Sequence, residues 1–365
     1  MKTIQWRPIV IETILIIIII NIRLIDAAPS DGYAGEVHNL ELADGEVDTF
    51  RTVDLFIHSN YSNEIQSPLV VLLHGLGQNA NETSAWMKMK ANSDDLGFLY
   101  VAPDAKYRVI HRTRKRTVPL SAWCADTACC CGQANCYATN SCNDDYNLDS
   151  AFLRRMIEHI LENYNVDRNR IYVIGISNGA HMAYRLACDH HDLIAGVMAI
   201  CGKTNFAYDL DGRCEASSTR ESSGVHLLHI HGTADRKIPY YPYPKKVGIG
   251  IKELVARWAE NVNSCSDSEG SLKWTNQTQY LTPASGNNES AWGKKLHCVN
   301  TNRYLGCRKA HTELWTIPGV GHCPGISYAN MKWLLDKRKG GPIIDAEADI
   351  SIKDVPSNTT CPRSS

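Results

Sequence analysis

One serine occupies the segment of this chain that carries the clearest chemical signal. The apolar run Arg170–Ile174 leads into Gly175-Ile176-Ser177-Asn178-Gly179, and an amphipathic helical pattern follows at once. A serine on a sharp strand-to-helix turn exposes its hydroxyl group as a nucleophile, and flanking glycines give a carbonyl group room to approach. The pattern therefore predicts that Ser177 is a nucleophile on such a turn.

A carboxylate that could support this nucleophile follows a second apolar strand. His229–Asp235 reads HIHGTAD, in which the strand ends in a glycine turn and Asp235 lies just beyond it. Sites in α/β folds form at the carboxyl ends of strands, so this aspartate suits the acid that orients a catalytic base. Asp209 and Asp211 are weaker candidates, because no strand pattern precedes them.

The base that accepts the serine proton is expected in a turn after the last strand. Pro318–Gly325 is rich in glycine and carries His322, and the glycines allow this loop to return over the sheet. The chain order serine, aspartate, histidine is the one found in doubly wound hydrolases. His311 is the alternative base.

Two backbone N–H groups are expected to form an oxyanion hole, which stabilises negative charge on an attacked carbonyl oxygen. One belongs to Asn178, directly after the serine, and the other to Leu76 in the turn His74–Gln78 (HGLGQ). A glycine-rich turn after a strand is weak evidence by itself. Together with the serine, the acid and the base, it completes a consistent set.

Other residues that could bind a metal are better explained by structural roles. His229 and His231 could form a metal pair, but alternation along a strand and the Asp235 turn explain them. The cysteines of 129–136 are expected to form disulfides rather than a metal cluster. The sequence contains no glycine-rich phosphate loop with its lysine. We predict no metal site and no nucleotide chemistry.

Residues 1–28 are predicted to be a secretory signal peptide. Basic residues precede an Ile/Leu-rich stretch at 9–22, and Ala27 and Ala28 follow it. An uncleaved anchor is the alternative, but the apolar stretch is short for a membrane span and contains Glu12. The expectation is an extracellular protein with no membrane contact after signal removal.

Cysteine content and charge agree with export. The chain has 14 cysteines, an even and high number that predicts disulfides. Sequons for N-glycosylation, usable if the source is a eukaryote, occur at Asn60, Asn81, Asn276, Asn288 and Asn358. The formal net charge of −1 gives no reason to expect nucleic acid or a membrane surface as the main partner.

Alternating strand and helix patterns predict an α/β fold. Strands are predicted at 49–58, 69–74, 98–102, 170–176, 193–200, 225–230 and 313–317, and helices at 147–164, 178–188, 249–261 and 327–335. Most of these strands are continuous apolar runs, which suits strands buried on both faces. The prediction is a doubly wound, mostly parallel sheet with helices on both faces, the α/β-hydrolase fold.

Residues 29–338 are predicted to form this domain, and 339–365 a polar tail. Two cysteine-rich inserts interrupt the domain near 107–145 and 265–307. Loops of this length tend to be lids or binding loops. The basic run 112–116 is interpreted as a solvated loop, with a site for acidic groups on a polymeric substrate as the alternative.

Five motifs resemble those of one group of enzymes. They are LHGLGQ (73–78), SAWC (121–124), RIYVIGISNGAHMAYRLAC (170–188), HIHGTADRKIPY (229–240) and GVGHCPG (319–325). The chain resembles secreted α/β-hydrolase esterases, above all the polyhydroxybutyrate depolymerase and feruloyl esterase group, which overlaps acetylxylan esterases. The likeness covers about residues 45–338 and is more specific for the group than for the substrate.

The resemblance implies a role for each candidate residue and no cofactor. The roles are nucleophile for Ser177, acid for Asp235, base for His322, and oxyanion-hole donors for Asn178 and Leu76. It also implies that Trp123 lies in a substrate-facing loop, where it could contact an aromatic or sugar group.

The chain departs from this group at three points. Ala180-His181 stands where many relatives have a further glycine, and Ile176 precedes the serine. Tannase-like feruloyl esterases join cysteines beside the serine and the histidine, so Cys323 cannot form that pair here. The cysteine-dense inserts have no simple counterpart in bacterial members, which leaves the substrate open.

These expectations describe a secreted serine carboxylic ester hydrolase of the feruloyl esterase type, acting through an acyl-enzyme on plant cell-wall xylan esters. Its partner would be an ester substrate that is linked to a polysaccharide. Polyhydroxyalkanoate depolymerase and acetylxylan esterase are the alternatives within esterases. A catalytically silent binding protein on a hydrolase scaffold is the alternative from another class, and a peptidase is a third. The sequence gives no acyl group, disulfide connectivity or oligomeric state.

Overall fold

The computed structural model describes residues 34–43, 49–112, 117–125, 136–137, 148–204, 224–242, 249–281, 297–324 and 328–341. The predicted signal peptide, the candidate acids Asp209 and Asp211, two of the sequons (Asn288 and Asn358) and nearly all of the predicted polar tail lie outside these residues. No helix in the described ranges is long and apolar enough to cross a bilayer.

The described residues form strands and helices that alternate along much of the chain. The strands are β1 Glu36–Ala43, β2 Phe50–Ile57, β3 Ser67–Leu73, β4 Leu99–Ala102, β5 Tyr107–Arg112, β6 Thr117–Ala122, β7 Cys136–Tyr137, β8 Val166–Ile176, β9 Gly196–Ile200, β10 His226–Gly232, β11 Gln277–Leu281, β12 His297–Arg303 and β13 Thr312–Ile317. The helices are α1 Ala80–Trp86, α2 Met89–Leu96, α3 Leu148–Asn163, α4 Asn178–Asp189, α5 Ile251–Arg257 and α6 Tyr328–Leu335. A π-helical turn, Trp258–Val262, continues α5.

Ten strands form one sheet in the order β1-β2-β4-β3-β8-β9-β10-β13-β12-β11. The six central strands, from β4 to β13, are parallel, and antiparallel strands extend both edges. Parallel neighbours need crossover connections, and described helices lie in those between β3 and β4, β8 and β9, and β10 and β13. The predicted mostly parallel α/β sheet is confirmed.

The central strands are largely apolar and buried because helices cover both of their faces. Successive residues of β3, such as Val71 and Leu72, point to opposite faces and enter two separate hydrophobic clusters. The first cluster includes residues of α3, α4 and α5, and the second includes residues of α2 and α6. Each fully buried aliphatic side chain contributes on the order of 1.5–3 kcal/mol, so the two clusters hold the strand ends in fixed positions.

The described parts of the second predicted insert include two strands of the large sheet, which differs from the expected loop. Its strands β11 and β12 pair with each other, and β12 pairs with β13. A disulfide between Cys265 and Cys307 joins the two ends of this segment. In the first insert, β5, β6 and β7 form a separate antiparallel sheet of three strands.

Candidate active site

Ser177 lies at the tip of a sharp turn between β8 and α4, as the sequence predicts. Its φ of 52° and ψ of −112° lie in a region that non-glycine residues rarely adopt, which is typical of strained functional turns. The flanking glycines are needed for close packing. A Cβ on Gly175 would lie 2.2 Å from the Gly179 carbonyl oxygen, and a Cβ on Gly179 would lie 2.2 Å from that of Leu73. The turn therefore holds the serine in place by steric constraint.

The ring of His322 bridges Ser177 and Asp235. Its Nε2 lies 3.0 Å from Ser177 Oγ, and its Nδ1 lies 2.7 Å from Asp235 Oδ2. The serine and the histidine are 145 positions apart in the chain, so only the fold brings them together. His311, the alternative base, lies elsewhere: it precedes β13 and stacks on His226 at the start of β10.

The carboxylate of Asp235 is buried and surrounded by donors. Its Oδ1 accepts hydrogen bonds from the backbone N–H groups of Lys237 at 2.8 Å and Ile238 at 3.0 Å. Burial alone would raise the pKa of Asp235, but contacts with His231, His322 and the Ile238 N–H outweigh it and hold the pKa well below its usual range. The group is thus a carboxylate, which favours the hydrogen on Nδ1 of His322.

With the Nδ1 hydrogen facing Asp235, the Nε2 lone pair of a neutral His322 ring faces the Ser177 hydroxyl. The arrangement can move the serine proton to the ring and stabilise the imidazolium that results. It therefore has the geometry needed to generate an oxygen nucleophile.

The predicted oxyanion-hole donors lie on two turns beside the serine. Asn178 is the first residue of α4, where an N–H group has no acceptor within the helix. Leu76 lies in a turn that is closed by the Gln78 N–H on the Gly75 carbonyl at 3.1 Å. Within the described residues, neither the Leu76 nor the Asn178 backbone N–H donates to a protein acceptor. Their joint action on an oxyanion stays a prediction.

Trp123 is buried beneath these turns and hydrogen-bonds to both of them, so no part of its side chain is accessible to a substrate. Its side chain is 0 % exposed, and its indole N–H donates to the His74 carbonyl at 3.0 Å. Its backbone N–H donates to Asn178 Oδ1 at 2.7 Å, and the Asn178 amide donates back to its carbonyl at 3.2 Å. The arrangement thus favours a supporting role over the predicted substrate contact.

A disulfide that sequence reasoning missed fixes the loop of the base. Cys323, next to His322, is bonded to Cys201, which directly follows β9. Both cysteines have positive φ, 48° for Cys201 and 56° for Cys323. The expectation that Cys323 has no partner directly beside Ser177 agrees with this bond. The signal that could have suggested the pair is that both cysteines follow predicted strand ends on the same edge of the sheet.

Comparison with known proteins identifies the family. Residues 60–246, more than half of the chain, match the family model described as phospholipase/carboxylesterase. A putative esterase, NocK of Nocardia uniformis, is 25% identical over 173 residues, which are 47% of this chain and 41% of that protein. A bifunctional acetylxylan esterase/xylanase of Neocallimastix patriciarum is 21% identical over 187 residues, which are 51% of this chain and 22% of that protein.

The chain spans about half or less of the length of the curated relatives it matches. Among solved structures, an acetyl xylan esterase from Aspergillus awamori superposes with a TM-score of 0.51 at 14% identity, covering 82% of this chain and 99% of that one. At this identity the likeness supports the fold and nothing finer. The chain belongs to the phospholipase/carboxylesterase family and has the α/β-hydrolase fold.

Proposed function

We propose that this protein is a serine esterase in which Ser177, His322 and Asp235 act as a catalytic triad. One observation carries the proposal: a single imidazole ring is within hydrogen-bond distance of both the Ser177 hydroxyl and a buried carboxylate. A structural role would need neither the strained backbone of Ser177 nor a partly exposed histidine between the two groups.

In the proposed reaction, Ser177 Oγ attacks the ester carbonyl carbon while its proton moves to His322 Nε2. The N–H groups of Leu76 and Asn178 stabilise the resulting oxyanion. His322 then gives the proton to the alcohol oxygen as the carbon–oxygen bond breaks, which leaves an acyl-enzyme. A water molecule then attacks the acyl carbon while His322 takes its proton, and the proton moves to Ser177 Oγ as the bond between Oγ and the acyl carbon breaks and the carboxylic acid leaves. Asp235 keeps His322 oriented and stabilises its charged form.

The substrate class we propose is an ester of plant cell-wall xylan, with feruloyl esters first. The five motifs that resemble the feruloyl esterase group support it. Acetylxylan is the second candidate, because a relative named as an acetylxylan esterase/xylanase matches across half of the chain. Secretion is part of the proposal and is supported by the signal-like residues 1–28 and by disulfides at Cys201–Cys323 and Cys265–Cys307.

Labelling with a fluorophosphonate probe tests the chemistry of Ser177 directly. The wild-type protein should be labelled and should hydrolyse p-nitrophenyl acetate, and Ser177→Ala should lose both properties while its circular dichroism spectrum stays unchanged. An unlabelled, folded wild-type protein would favour the catalytically silent binding protein instead. Hydrolysis by Ser177→Ala at the wild-type rate would remove the serine from the mechanism.

A panel of three substrates separates the candidate specificities. Methyl ferulate, acetylated xylan and polyhydroxybutyrate would be compared by kcat/KM with the same enzyme preparation. A preference for methyl ferulate supports the first candidate, and a preference for acetylated xylan or for the polyester replaces it with the corresponding alternative.

A further inference from the structure

A line of three buried side chains leads from the core to Asp235. His229 and His231 are alternate residues of β10, so both project from the same face of the sheet. Their rings are stacked, with centroids 5.3 Å apart, and His229 Nε2 lies 3.1 Å from His231 Nδ1. On α4, the Tyr184 hydroxyl lies 2.7 Å from His229 Nδ1. All three side chains are 0 % exposed.

The acceptors around His231 determine where its hydrogen lies. Its Nε2 faces the Ile238 carbonyl oxygen at 2.8 Å and Asp235 Oδ2 at 3.2 Å. Neither of these oxygens can donate, so Nε2 carries a hydrogen. Among the described residues, His229 Nδ1 is the acceptor beside the Tyr184 hydroxyl, so a neutral His229 carries its hydrogen on Nε2 and donates it to His231 Nδ1. The hydrogen bonds therefore all point the same way, from Tyr184 through His229 and His231 to the Asp235 carboxylate.

The protonation states of Tyr184 and His229 agree with this assignment of hydrogens. Burial raises the pKa of Tyr184 well above its ordinary value, so the hydroxyl keeps its hydrogen. Burial lowers the pKa of His229 well below its ordinary value, and the neighbouring His231 and His181 lower it further. His229 is accordingly neutral, as a ring that donates once and accepts once must be.

His231 acts on Asp235 in two ways. Its main hydrogen bond holds the Ile238 carbonyl, and the N–H of that same residue binds Asp235 Oδ1 at 3.0 Å. The second, longer contact places the Nε2 hydrogen near Oδ2, the oxygen that His322 Nδ1 also contacts. The ring thus fastens the turn that carries the acid and limits the movement of the oxygen that faces the base.

A role in packing alone does not require these residue types. Polar groups without solvent contact cost free energy unless each is hydrogen-bonded, and apolar side chains of similar volume would fill the space without that cost. Here three polar side chains are satisfied in series, and the series ends on the carboxylate of the candidate triad.

We propose that Tyr184, His229 and His231 position the Asp235 carboxylate for His322, so that His231 is a positioning residue of ester hydrolysis. The inference rests on the proposed function. It extends the site inward by three residues that the triad itself does not require.

Kinetics of three variants test this inference, with rates divided by the number of fluorophosphonate-reactive sites. His231→Leu removes the donor and should lower kcat about 10–100-fold with KM changed by less than about twofold, since orientation of the base matters in the transition state. His231→Gln keeps an N–H donor and should recover part of that loss. Tyr184→Phe removes one hydroxyl group and should lower kcat roughly two- to fivefold.

The pH profile supplies a measurement that packing alone would not change. In His231→Leu the carboxylate is less well held beside His322, which weakens its stabilisation of the imidazolium. The acid limb of kcat/KM should move to lower pH by about 0.5 unit or more. His226→Leu is the matched control, because His226 is a buried histidine at the other end of the same strand. It should change neither kcat for each active site nor the profile.

A proton NMR measurement keeps this test independent of the esterase assay. The hydrogen between His322 Nδ1 and Asp235 gives a low-field signal when the two groups are held together, and no substrate is needed to observe it. Loss of the signal in His231→Leu and its retention in His226→Leu would support positioning even if the wild-type protein had no esterase activity. The proposed function would then fail, while the positioning of the Asp235 carboxylate beside His322 would stand.

Wild-type kcat, pH profile and low-field signal in a folded His231→Leu protein would overturn the inference. If this variant does not fold, Tyr184→Phe and His231→Gln decide the question. Unchanged kinetics and an unchanged low-field signal in both would overturn the inference equally, because both variants alter the hydrogen-bond chain at nearly constant volume.

Discussion

Two buried histidine pairs involve β10, one at the start of the strand and one near its end, and their β10 members project from opposite faces of the sheet. In the pair at the start of the strand, His226 stacks on His311 with ring centroids 5.4 Å apart. His226 accepts a hydrogen bond from the His311 backbone N–H and contacts the Arg338 carbonyl. In the pair at the end of the strand, the hydrogen bonds of His229 and His231 lead to Asp235.

The comparison teaches that burial and stacking do not distinguish a functional histidine from a structural one. Both pairs are almost fully buried, and burial lowers the pKa of His226, His229 and His311 alike. What differs is the final acceptor. The first pair ends on backbone groups, which only fix the fold, and the second ends on a carboxylate that faces a base.

The largest effect should follow from neutralising that carboxylate. Asp235→Asn removes the charge that stabilises the His322 imidazolium and allows the wrong tautomer, so kcat should fall roughly 10³–10⁴-fold. His226→Asn, at the structural end of β10, should leave kcat unchanged and lower the melting temperature. Hydrolysis of p-nitrophenyl acetate and thermal unfolding measure the two effects. A loss below tenfold in Asp235→Asn would mean that another group orients His322.

A medium effect on kcat should distinguish the disulfide Cys201–Cys323 from the disulfide Cys265–Cys307. In the chain-entropy model their loops of 122 and 42 residues stabilise the fold by similar amounts, about 5 and about 4 kcal/mol. The double variant Cys201→Ser/Cys323→Ser should also lower kcat about tenfold or more, because the loop of His322 is released from β9. Cys265→Ser/Cys307→Ser should lower only the melting temperature. Equal losses of kcat in both variants would show that activity follows stability alone.

Acid should lower the free energy of unfolding through the buried pair His226 and His311. The pKa is lowered by burial to about 3 for His226 and to about 4 for His311, against about 6.5 in an unfolded chain. Below pH 6.5 the unfolded chain therefore binds protons that the folded protein excludes, and stability is lost as the pH falls toward 4.

Each of these rings should reduce the free energy of unfolding by about 2 kcal/mol between pH 7.5 and pH 5. Urea unfolding at these two values measures the loss, and His226→Gln should show a shallower dependence on pH. An unchanged slope in that variant would assign the acid sensitivity to other groups.

The smallest effect should come from Trp123→Phe, which distinguishes support from substrate contact. Loss of the indole N–H frees the His74 carbonyl and loosens the turn of Leu76, so kcat should fall about two- to fivefold with KM unchanged. A rise in KM with constant kcat would instead restore the predicted substrate contact. Steady-state kinetics on methyl ferulate measures both constants.

The sequence predicts those parts of the molecule in which a residue pattern is compatible with a single local structure. Largely apolar runs predicted β3, β8 and β10 to within a few residues, since strands covered on both faces bury side chains on both. The turn of Ser177 was predicted for a similar reason, because glycines at 175 and 179 satisfy a strict steric requirement.

The remaining elements have patterns that tertiary contacts override. Strand β12 (HCVNTNR) is polar and lies near an edge of the sheet, so its pairing with β13 and not its composition makes it a strand. Helices α1 and α2 are short, seven and eight residues, and gave no clear apolar stripe.

Within the candidate site, the sequence predicted residues but not their connections. The interpretation of His229 and His231 as alternate strand residues was correct in position, yet it missed the hydrogen bonds to Tyr184 and Asp235. Those contacts depend on how α4 packs against β10, which no local pattern encodes. The same holds for Cys201 and Cys323, whose separation of 122 residues only the completed sheet closes.

The distance in sequence between Ser177 and His322 also has a consequence for the order of events during synthesis. The two residues are 145 positions apart, and the strand that precedes the base, β13, can join the sheet only after β10 is in place. Contacts of such long range form late in folding. A nascent chain that has already made its serine turn therefore has no base beside it, and the hydroxyl becomes reactive only when nearly the whole domain has emerged and folded.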